Sequence, residues 1–267
     1  MKISMQSKNP YSAVRNSKFN GAKAYLVEIL NKYNSEFHLD FGAHDGEFVA
    51  SLKNQRLISK GVGLDANSDA VNSNRKSMPN GVELRLIRPN EPILFEDDTF
   101  SSISIIGVLE HVVEQKKLLS ELRRILKPGG EILIAVPGQH LFSFLDMGNW
   151  KFMFPRLHEF YVTRAKGADY FKANYSENPD GLYGDVEKEK FWHEHFSKKG
   201  LSSLVQEMDF VVIEIDGFGF FNRILANAAF FMPKISSAIF DKLIEWDARF
   251  FSSTEIWIRC QKPNVDI

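Results

Sequence analysis

The chain has 267 residues, of which 44% are apolar and 25% are charged, so it can bury a substantial core. Its formal net charge of -1 argues against a protein held on nucleic acid by many phosphate contacts, because such proteins usually carry a basic excess. Its single cysteine excludes an internal disulfide, and no cysteine–histidine spacing predicts a metal site.

The distribution of apolar residues predicts a protein that is not secreted and does not cross a membrane. Residues 1–20 lack the apolar stretch of a signal peptide. No run reaches the roughly 18 apolar residues that a spanning helix needs. We therefore expect a cytoplasmic protein, and the pattern leaves its oligomeric state open.

The first part of the chain alternates helix and strand patterns. Apolar residues at helical spacing and short apolar runs bounded by turn residues distinguish the two kinds of element. The predicted elements are helices over 22–33, 45–52 and 67–76, and strands over 37–41, 61–65 and 82–87.

The clearest elements follow between residues 102 and 138. Strands are predicted over 102–109 and 132–136, which are nearly continuous apolar runs, as in strands covered on both faces. The helix between them has apolar residues at helical spacing over 118–126 and is stopped by the sequence Lys-Pro-Gly-Gly at 127–130. Strands that alternate with helices predict an α/β fold with a mostly parallel sheet and helices on both faces.

Two later segments break this alternation and are rich in aromatic residues. We expect one domain over 1–267, with a core at about 20–138 and 195–261 and cap insertions at about 139–194 and 217–252. The core resumes with a helix over 197–208 and strands over 210–216 and 255–261. The aromatic rings either wall a substrate pocket or form the caps' own cores, and packing is favoured over contact with a membrane surface because few positive charges accompany them.

The residues that indicate chemistry lie at the first strand–helix junction. Asp40 ends a predicted strand, Gly42 and Gly46 form a turn before a helix, and Asp65 ends the next strand. A glycine turn at a helix N-terminus brings backbone N–H groups close to a ligand, and an acid on the neighbouring strand can accept both hydroxyls of a ribose. The turn lacks the Gly-x-Gly-x-x-Gly spacing of pyrophosphate-binding proteins, which disfavours a nicotinamide-dependent oxidoreductase.

This turn resembles the Asp-x-Gly-x-Gly-x-Gly signature of class I S-adenosylmethionine-dependent methyltransferases, in particular the methyltransferase type 11-like family. Further segments resemble that family in the same order, over 37–136 and more loosely over 195–216. They are Gly61-Val62-Gly63-Leu64-Asp65, the acidic loop 94–100, Leu109-Glu110-His111, the segment 121–130 ending in Lys-Pro-Gly-Gly, and His195-Phe196-Ser197.

The resemblance implies a Rossmann-like methyltransferase fold with a seven-stranded sheet, and S-adenosylmethionine as the cofactor. It assigns cofactor contacts to eight residues: Asp40, Gly42, Ala43, Gly46, Asp65, Ala66, Asn90 and Val108. Two positions depart from the pattern, since His44 replaces the middle glycine and Pro89 stands where an adenine-contacting acid is expected.

Two histidines are candidate catalytic residues by the same resemblance. His111 follows the fourth strand and His195 precedes a late helix, and each has a structural alternative as a packed histidine or a helix-start residue. His193-Glu194-His195 would suggest a metal only with further ligands, so we expect none.

The implied reaction is O- or N-methylation, by in-line displacement, of a small-molecule, sugar or lipid-linked acceptor. A nucleic-acid acceptor is disfavoured because the Asn-Pro-Pro-Tyr motif of base methylation is absent after the fourth strand. The alternative is a catalytically inactive cofactor-binding scaffold with the same fold, which His44 and Pro89 would favour.

Overall fold

The computed structural model describes residues 21–88, 91–145, 147–172, 194–231 and 237–264. Its strands are β1 (Ser35–Phe41), β2 (Ile58–Asp65), β3 (Val82–Leu86), β4 (Phe100–Ile106), β5 (Leu126–Pro137), β6 (Val211–Phe218) and β7 (Glu255–Gln261). They form a seven-stranded sheet in the order β3-β2-β1-β4-β5-β7-β6. Only β7 runs antiparallel to its neighbours among these paired strands, so the predicted mostly parallel sheet is confirmed.

The helices of the core are α1 (Ala22–Lys32), α2 (Glu47–Asn54), α3 (Ser68–Asn74), α4 (Gln115–Ile125) and α8 (Lys198–Glu207). The segments predicted as insertions contain α5 (Met147–Met153), α6 (Pro155–Lys166), α7 (Ala168–Phe171), α9 (Asn222–Phe231) and α10 (Ser237–Phe250). Across the described ranges, every helix is too short or too polar to cross a bilayer.

Two apolar clusters cover the two faces of the sheet. On β5, Ile132 and Ile134 belong to the cluster that includes the buried residues of α4 and α8. Leu133 and Ala135 belong to the cluster that includes those of α1 and α2. Because successive strand residues point to opposite faces, this alternation places helices on both sides of the sheet, as expected.

The fourth strand ends earlier than its apolar run predicts. Its last residue is Ile106, and Gly107 then takes a positive φ of 69°, which turns the chain out of the sheet. Leu109–His111 forms a short 3₁₀ turn instead of the predicted strand end. The consequence is that Val108 and His111 lie on a turn above the strand ends.

The single cysteine, Cys260, is buried in β7, and burial raises the pKa of its thiol to about 12. The reactive species is the thiolate, so we expect the native protein to resist alkylation by iodoacetamide at pH 8. Mass spectrometry of the intact chain should show the adduct only after unfolding in denaturant. Rapid labelling of the native protein would contradict the buried position of β7.

Candidate active site

The carboxyl ends of β1, β2 and β4 lie side by side. Phe41 of β1 pairs with Leu64 of β2 and Ile105 of β4. The turn that follows β1 is held against β2, because the N–H groups of Gly42 and Ala43 both donate to the Leu64 carbonyl, at 2.8 and 3.0 Å. The first strand–helix junction is thus fixed next to the end of the second strand.

Two glycines give this turn its shape. Gly42 has a φ of 88°, and a Cβ added there would lie 2.1 Å from Val108 Cγ2. Gly46 has a φ of 75° and immediately precedes α2. The glycine at 42 therefore lets the side chain of Val108, from the post-β4 turn, pack directly on the post-β1 turn. Gly42 and Val108, which the sequence assigns to one site, are therefore in contact.

His44 occupies the position at which the signature has glycine. Its φ of 52° lies in the left-handed region, which histidine adopts more readily than most residues. Its side chain is about half exposed, with Nδ1 3.9 Å from Asp45 Oδ2. The substitution therefore preserves the backbone conformation that a glycine would supply.

Asp65, at the end of β2, has a carboxylate held by two backbone groups. Oδ2 accepts the His44 N–H at 2.6 Å, and Oδ1 accepts the Asn67 N–H at 2.7 Å. Each carboxylate oxygen has a second lone pair for a further donor. Ala66 follows and is half-buried. The result is an oriented acid with acceptor capacity for two hydroxyl groups.

Asp40 is buried near the end of β1, and the Ser104 hydroxyl donates to its Oδ1 at 2.6 Å. Burial raises the pKa of Asp40, the hydrogen bond from Ser104 and the charge of Lys23 oppose this, and the charge of Asp65 adds to it. A cation next to this carboxylate would favour its ionised form.

His111 lies in the same post-β4 turn as Val108, and its N–H donates to the Val108 carbonyl at 2.9 Å. Gln115 of α4 ties this turn to a later segment. Its side-chain amide donates to the Leu109 carbonyl at 3.1 Å and to Glu194 Oε2 at 2.8 Å. Gln115 was not among the predicted site residues, since its position before the apolar stripe of α4 gives no sign of these contacts.

His195 lies at the end of β5. The neighbouring Phe196 donates its N–H to the Pro137 carbonyl at 2.9 Å. The His195 Nε2 is 3.0 Å from Arg223 Nη1, and a guanidinium only donates, so Nε2 accepts and a neutral imidazole carries its proton on Nδ1. Arg223 Nη1 also donates to the Ser143 carbonyl at 3.2 Å. Arg223, which the sequence analysis also missed, joins the second insertion to the loop after β5.

The structure thus brings most of the predicted site residues to one edge of the sheet. Six of them surround the post-β1 turn and the ends of its neighbouring strands: Asp40, Gly42, Ala43, Gly46, Asp65 and Val108. Asn90, Pro89 and His193 lie outside the described residues.

The chemistry of these groups fits S-adenosylmethionine, which carries a ribose diol, an ammonium and a sulfonium. Asp65 offers acceptors for the diol, and Asp40 offers a carboxylate for a cation. The N–H groups of Gly42, Ala43, His44 and Gly46 all donate within the protein, so the two carboxylates carry this fit.

Comparisons with known proteins identify the family of this chain. A family model described as a methyltransferase domain matches residues 19–215. A ubiquinone/menaquinone biosynthesis C-methyltransferase UbiE from Cronobacter sakazakii is 28% identical over 168 residues, which are 59% of this chain and 66% of that protein. The match therefore spans slightly less than two thirds of that relative's length.

Solved structures share the fold. A putative methyltransferase from Bacillus halodurans C-125 is 15% identical, with 91% of this chain and 99% of that one covered and a TM-score of 0.53. Phosphoethanolamine N-methyltransferase 2 from Haemonchus contortus, in complex with S-adenosylmethionine, is 13% identical, with 96% and 56% covered and a TM-score of 0.53. At these identities the likeness concerns the fold alone.

The family match covers most of the chain, including the whole of the post-β1 turn and Asp65. The shared architecture confirms the predicted fold, and membership of the family confirms the predicted cofactor, S-adenosylmethionine. The chain belongs to the class I S-adenosylmethionine-dependent methyltransferases.

Proposed function

We propose that this methyltransferase acts on a small-molecule, sugar or lipid-linked acceptor, at an oxygen or a nitrogen. The observation that carries the cofactor site, on which this proposal rests, is the Asp65 carboxylate, oriented by the N–H groups of His44 and Asn67 beside the glycine turn. That arrangement supports a bound adenosyl group whose methyl-bearing end faces the loops after β4 and β5.

Each residue of the site has a role in this proposal. Asp65 accepts the ribose hydroxyls, and Asp40 attracts the methionine ammonium. The backbone of Gly42, Ala43 and Gly46 lines the amino-acid end, and Ala66, Val108 and Asn90 complete the nucleoside pocket. When bound, the cofactor supplies an electrophilic methyl group, so the main task of the protein is to position the acceptor, worth up to roughly 7–11 kcal/mol.

The acceptor side is formed by the loops and the insertions. Aromatic rings from the loop after β5 and from the second insertion pack on one another, with centroid distances of 4.9–5.9 Å among Phe142, Phe220, Phe221 and Phe251. Such a cluster supports caps that exclude water from the reaction. This packing favours the cap interpretation of these rings over contact with a membrane surface.

The two candidate catalytic histidines are expected to differ. Arg223 occupies the Nε2 lone pair of His195, so this atom cannot accept a proton while the contact holds. We expect His111→Ala to lower kcat by about 100-fold or more if His111 is the general base, the size of a general-base contribution. His195→Ala should lower kcat by less than about 10-fold. Steady-state kinetics on the identified acceptor measure both, and the reverse order would assign the base to His195.

The proposal is tested in two stages. Calorimetry with S-adenosylmethionine and S-adenosylhomocysteine establishes cofactor binding, and absence of binding overturns the assignment of the site. Transfer of a labelled methyl group is then measured on sugars, lipid-linked sugars, phenols and small amines.

The panel also includes quinols, because the UbiE relatives are named for C-methylation in ubiquinone and menaquinone biosynthesis. Fragmentation mass spectrometry of the product distinguishes a methylated carbon from oxygen or nitrogen. Binding without transfer to any acceptor class would favour the inactive scaffold. The cytoplasmic location and the one-domain organisation over 1–267 stay predictions.

A further inference from the structure

A continuous chain of buried polar side chains lies between the two central strands, β1 and β4. Four of them, Asp40, Ser104, His38 and Ser102, share one face of the sheet and run inward from the carboxyl edge. The buried Ser35 and the half-buried Ser101 continue the network.

Every step of this network lies within hydrogen-bond distance. Ser104 Oγ lies 2.6 Å from Asp40 Oδ1 and 3.0 Å from His38 Nε2. His38 Nδ1 lies 2.7 Å from Ser102 Oγ, which lies 2.7 Å from Ser35 Oγ. His38 and Ser104 are fully buried. Polar groups in such positions lower stability unless they are hydrogen-bonded, and apolar residues would serve the packing better.

The number of hydrogens in this network links the protonation of Asp40 to the tautomer of His38. Burial lowers the pKa of His38 to about 3, so the imidazole is neutral and carries one proton. If Asp40 is ionised, Ser104 donates its only hydrogen to Asp40 and must accept from His38 Nε2–H. His38 Nδ1 is then an acceptor, so the Ser102 hydroxyl, which donates to Ser35 in the structure, must rotate and donate to Nδ1 instead.

A second arrangement applies when Asp40 is protonated, with the hydrogen bond between Ser104 and Asp40 reversed. Asp40 then donates to Ser104, and Ser104 donates to His38 Nε2. The imidazole proton moves to Nδ1 and is donated to Ser102, while Ser102 donates to Ser35. The tautomer of His38 is therefore tied to the charge of Asp40.

We propose that His38 is a positioning residue that acts through Ser104 to orient the Asp40 carboxylate and hold it ionised for the ammonium of S-adenosylmethionine. This inference rests on the proposed role of Asp40 in binding the cofactor. It adds that affinity for the cofactor depends on a histidine inside the sheet, which acts on the cofactor only through Ser104 and Asp40.

The proposal has a defined dependence on pH. The charged groups that act on Asp40 are Lys23 of α1 and Asp65 of β2, and Ser104 is its partner on β4. A bound ammonium favours the ionised carboxylate, whose pKa is raised by burial in the free protein. Affinity is therefore full above that pKa and falls as the pH decreases through it.

The test measures the dissociation constant of S-adenosylmethionine by calorimetry between pH 5 and 8. We expect His38→Leu and Ser104→Ala each to weaken binding at pH 7 by about 10-fold, the size of one hydrogen bond to a charged group. In His38→Leu the midpoint of the pH profile should move up by about one unit. His38→Gln keeps an amide donor for Ser104 and should bind within about 3-fold of the wild type.

Ile103→Val is the matched control, because Ile103 is buried on the opposite face of β4 and its loss perturbs only packing. Ile103→Val should lose about as much thermal stability as His38→Leu does. Its affinity for S-adenosylmethionine and the midpoint of its pH profile should nevertheless equal those of the wild type. If His38→Leu fails to fold, Ser104→Ala carries the comparison, since it removes one hydroxyl.

The outcomes separate this inference from the proposed function. If the wild type does not bind, or if Asp40→Asn binds as the wild type does, the role of Asp40 is wrong. If Asp40→Asn weakens binding but His38→Leu and Ser104→Ala do not, the role of His38 alone is overturned.

Nitrogen-15 NMR of the histidine side chains gives a direct readout of the His38 tautomer. The His38 signal, assigned by its loss in His38→Gln, should report the proton on Nε2 when cofactor is bound, and a proton on Nδ1 would contradict the proposal.

Discussion

Replacing Asp65 with alanine is expected to weaken binding of S-adenosylmethionine by on the order of 100-fold, since hydrogen bonds to a charged group are among the strongest polar contacts. The carboxylate is already oriented by the N–H groups of His44 and Asn67, so little further ordering is needed when the ribose binds. Calorimetry with the cofactor measures the change. The same loss should appear with S-adenosylhomocysteine, because both molecules carry the ribose.

Asp69→Ala is the control for this variant. Asp69 is an exposed acid in the first turn of α3, four residues further along the chain, so its removal changes the net charge equally. We expect it to leave the affinity within about 2-fold of the wild type, as for an exposed charge. Full cofactor affinity in Asp65→Ala, with the fold intact by circular dichroism, would show that the ribose lies elsewhere.

The fold could be predicted largely because its signals are local. The periodicity of apolar residues located the core elements, and the last strand, predicted over 255–261, has those bounds in the structure. Boundaries were less accurate where glycines allow the backbone to change direction. Gly107 ends β4 three residues before the predicted end, and β5 begins at Leu126, the last residue of the predicted helix, and runs through the expected helix stop at 127–130.

The cofactor side of the site was predictable for the same reason. The post-β1 turn is a single strand–turn–helix unit, and Asp65 ends the strand that pairs directly with β1. The acceptor side depends on contacts between distant segments. His195 meets Arg223, 28 positions later, and Gln115 meets Glu194, 79 positions later. No local pattern indicates such pairs, since each partner is placed by a different element.

The chain of polar residues in the sheet lies between these two cases. His38 and Asp40 are two residues apart on one strand, and Ser102 and Ser104 are two apart on another. Polar residues at period two within apolar strands indicate a shared face. What the sequence does not show is that β1 and β4 are neighbours in a register that pairs His38 with Ser102 and Asp40 with Ser104.

The loops after β4 and β5 are connected by side chains as well as by the sheet. Gln115 holds the post-β4 turn to Glu194, and the next residue, His195, contacts Arg223 at the start of the second insertion. Movement of the insertion would therefore act on both the turn that carries His111 and the segment that carries His195. The position of the second insertion thus becomes part of the geometry of the acceptor site.

Within this insertion, one buried acid, Asp247 of α10, joins α10 to the segment that leads from β6 into α9. Its carboxylate accepts the Phe220 N–H at 2.9 and 3.1 Å and the Phe221 N–H at 3.0 Å, just before α9 begins. These N–H groups belong to a helix N-terminus and have no partner within the helix. Asp247→Ala should therefore lower the free energy of unfolding by about 3 kcal/mol, because two donors lose their carboxylate acceptor. Urea denaturation followed by circular dichroism measures the loss.

Two further variants decide whether the loss comes from these hydrogen bonds. Asp247→Asn keeps a carbonyl acceptor at nearly the same volume, so we expect it to lose about half as much stability as the alanine variant. Lys242→Ala removes an exposed side chain from the same helix and should change stability by less than about 0.5 kcal/mol. If Asp247→Ala loses no more than Lys242→Ala, the carboxylate does not hold α9. The second insertion would then be positioned by its ring contacts, which join Phe251 to Phe220 and Phe221 at centroid distances of 5.5 and 5.6 Å.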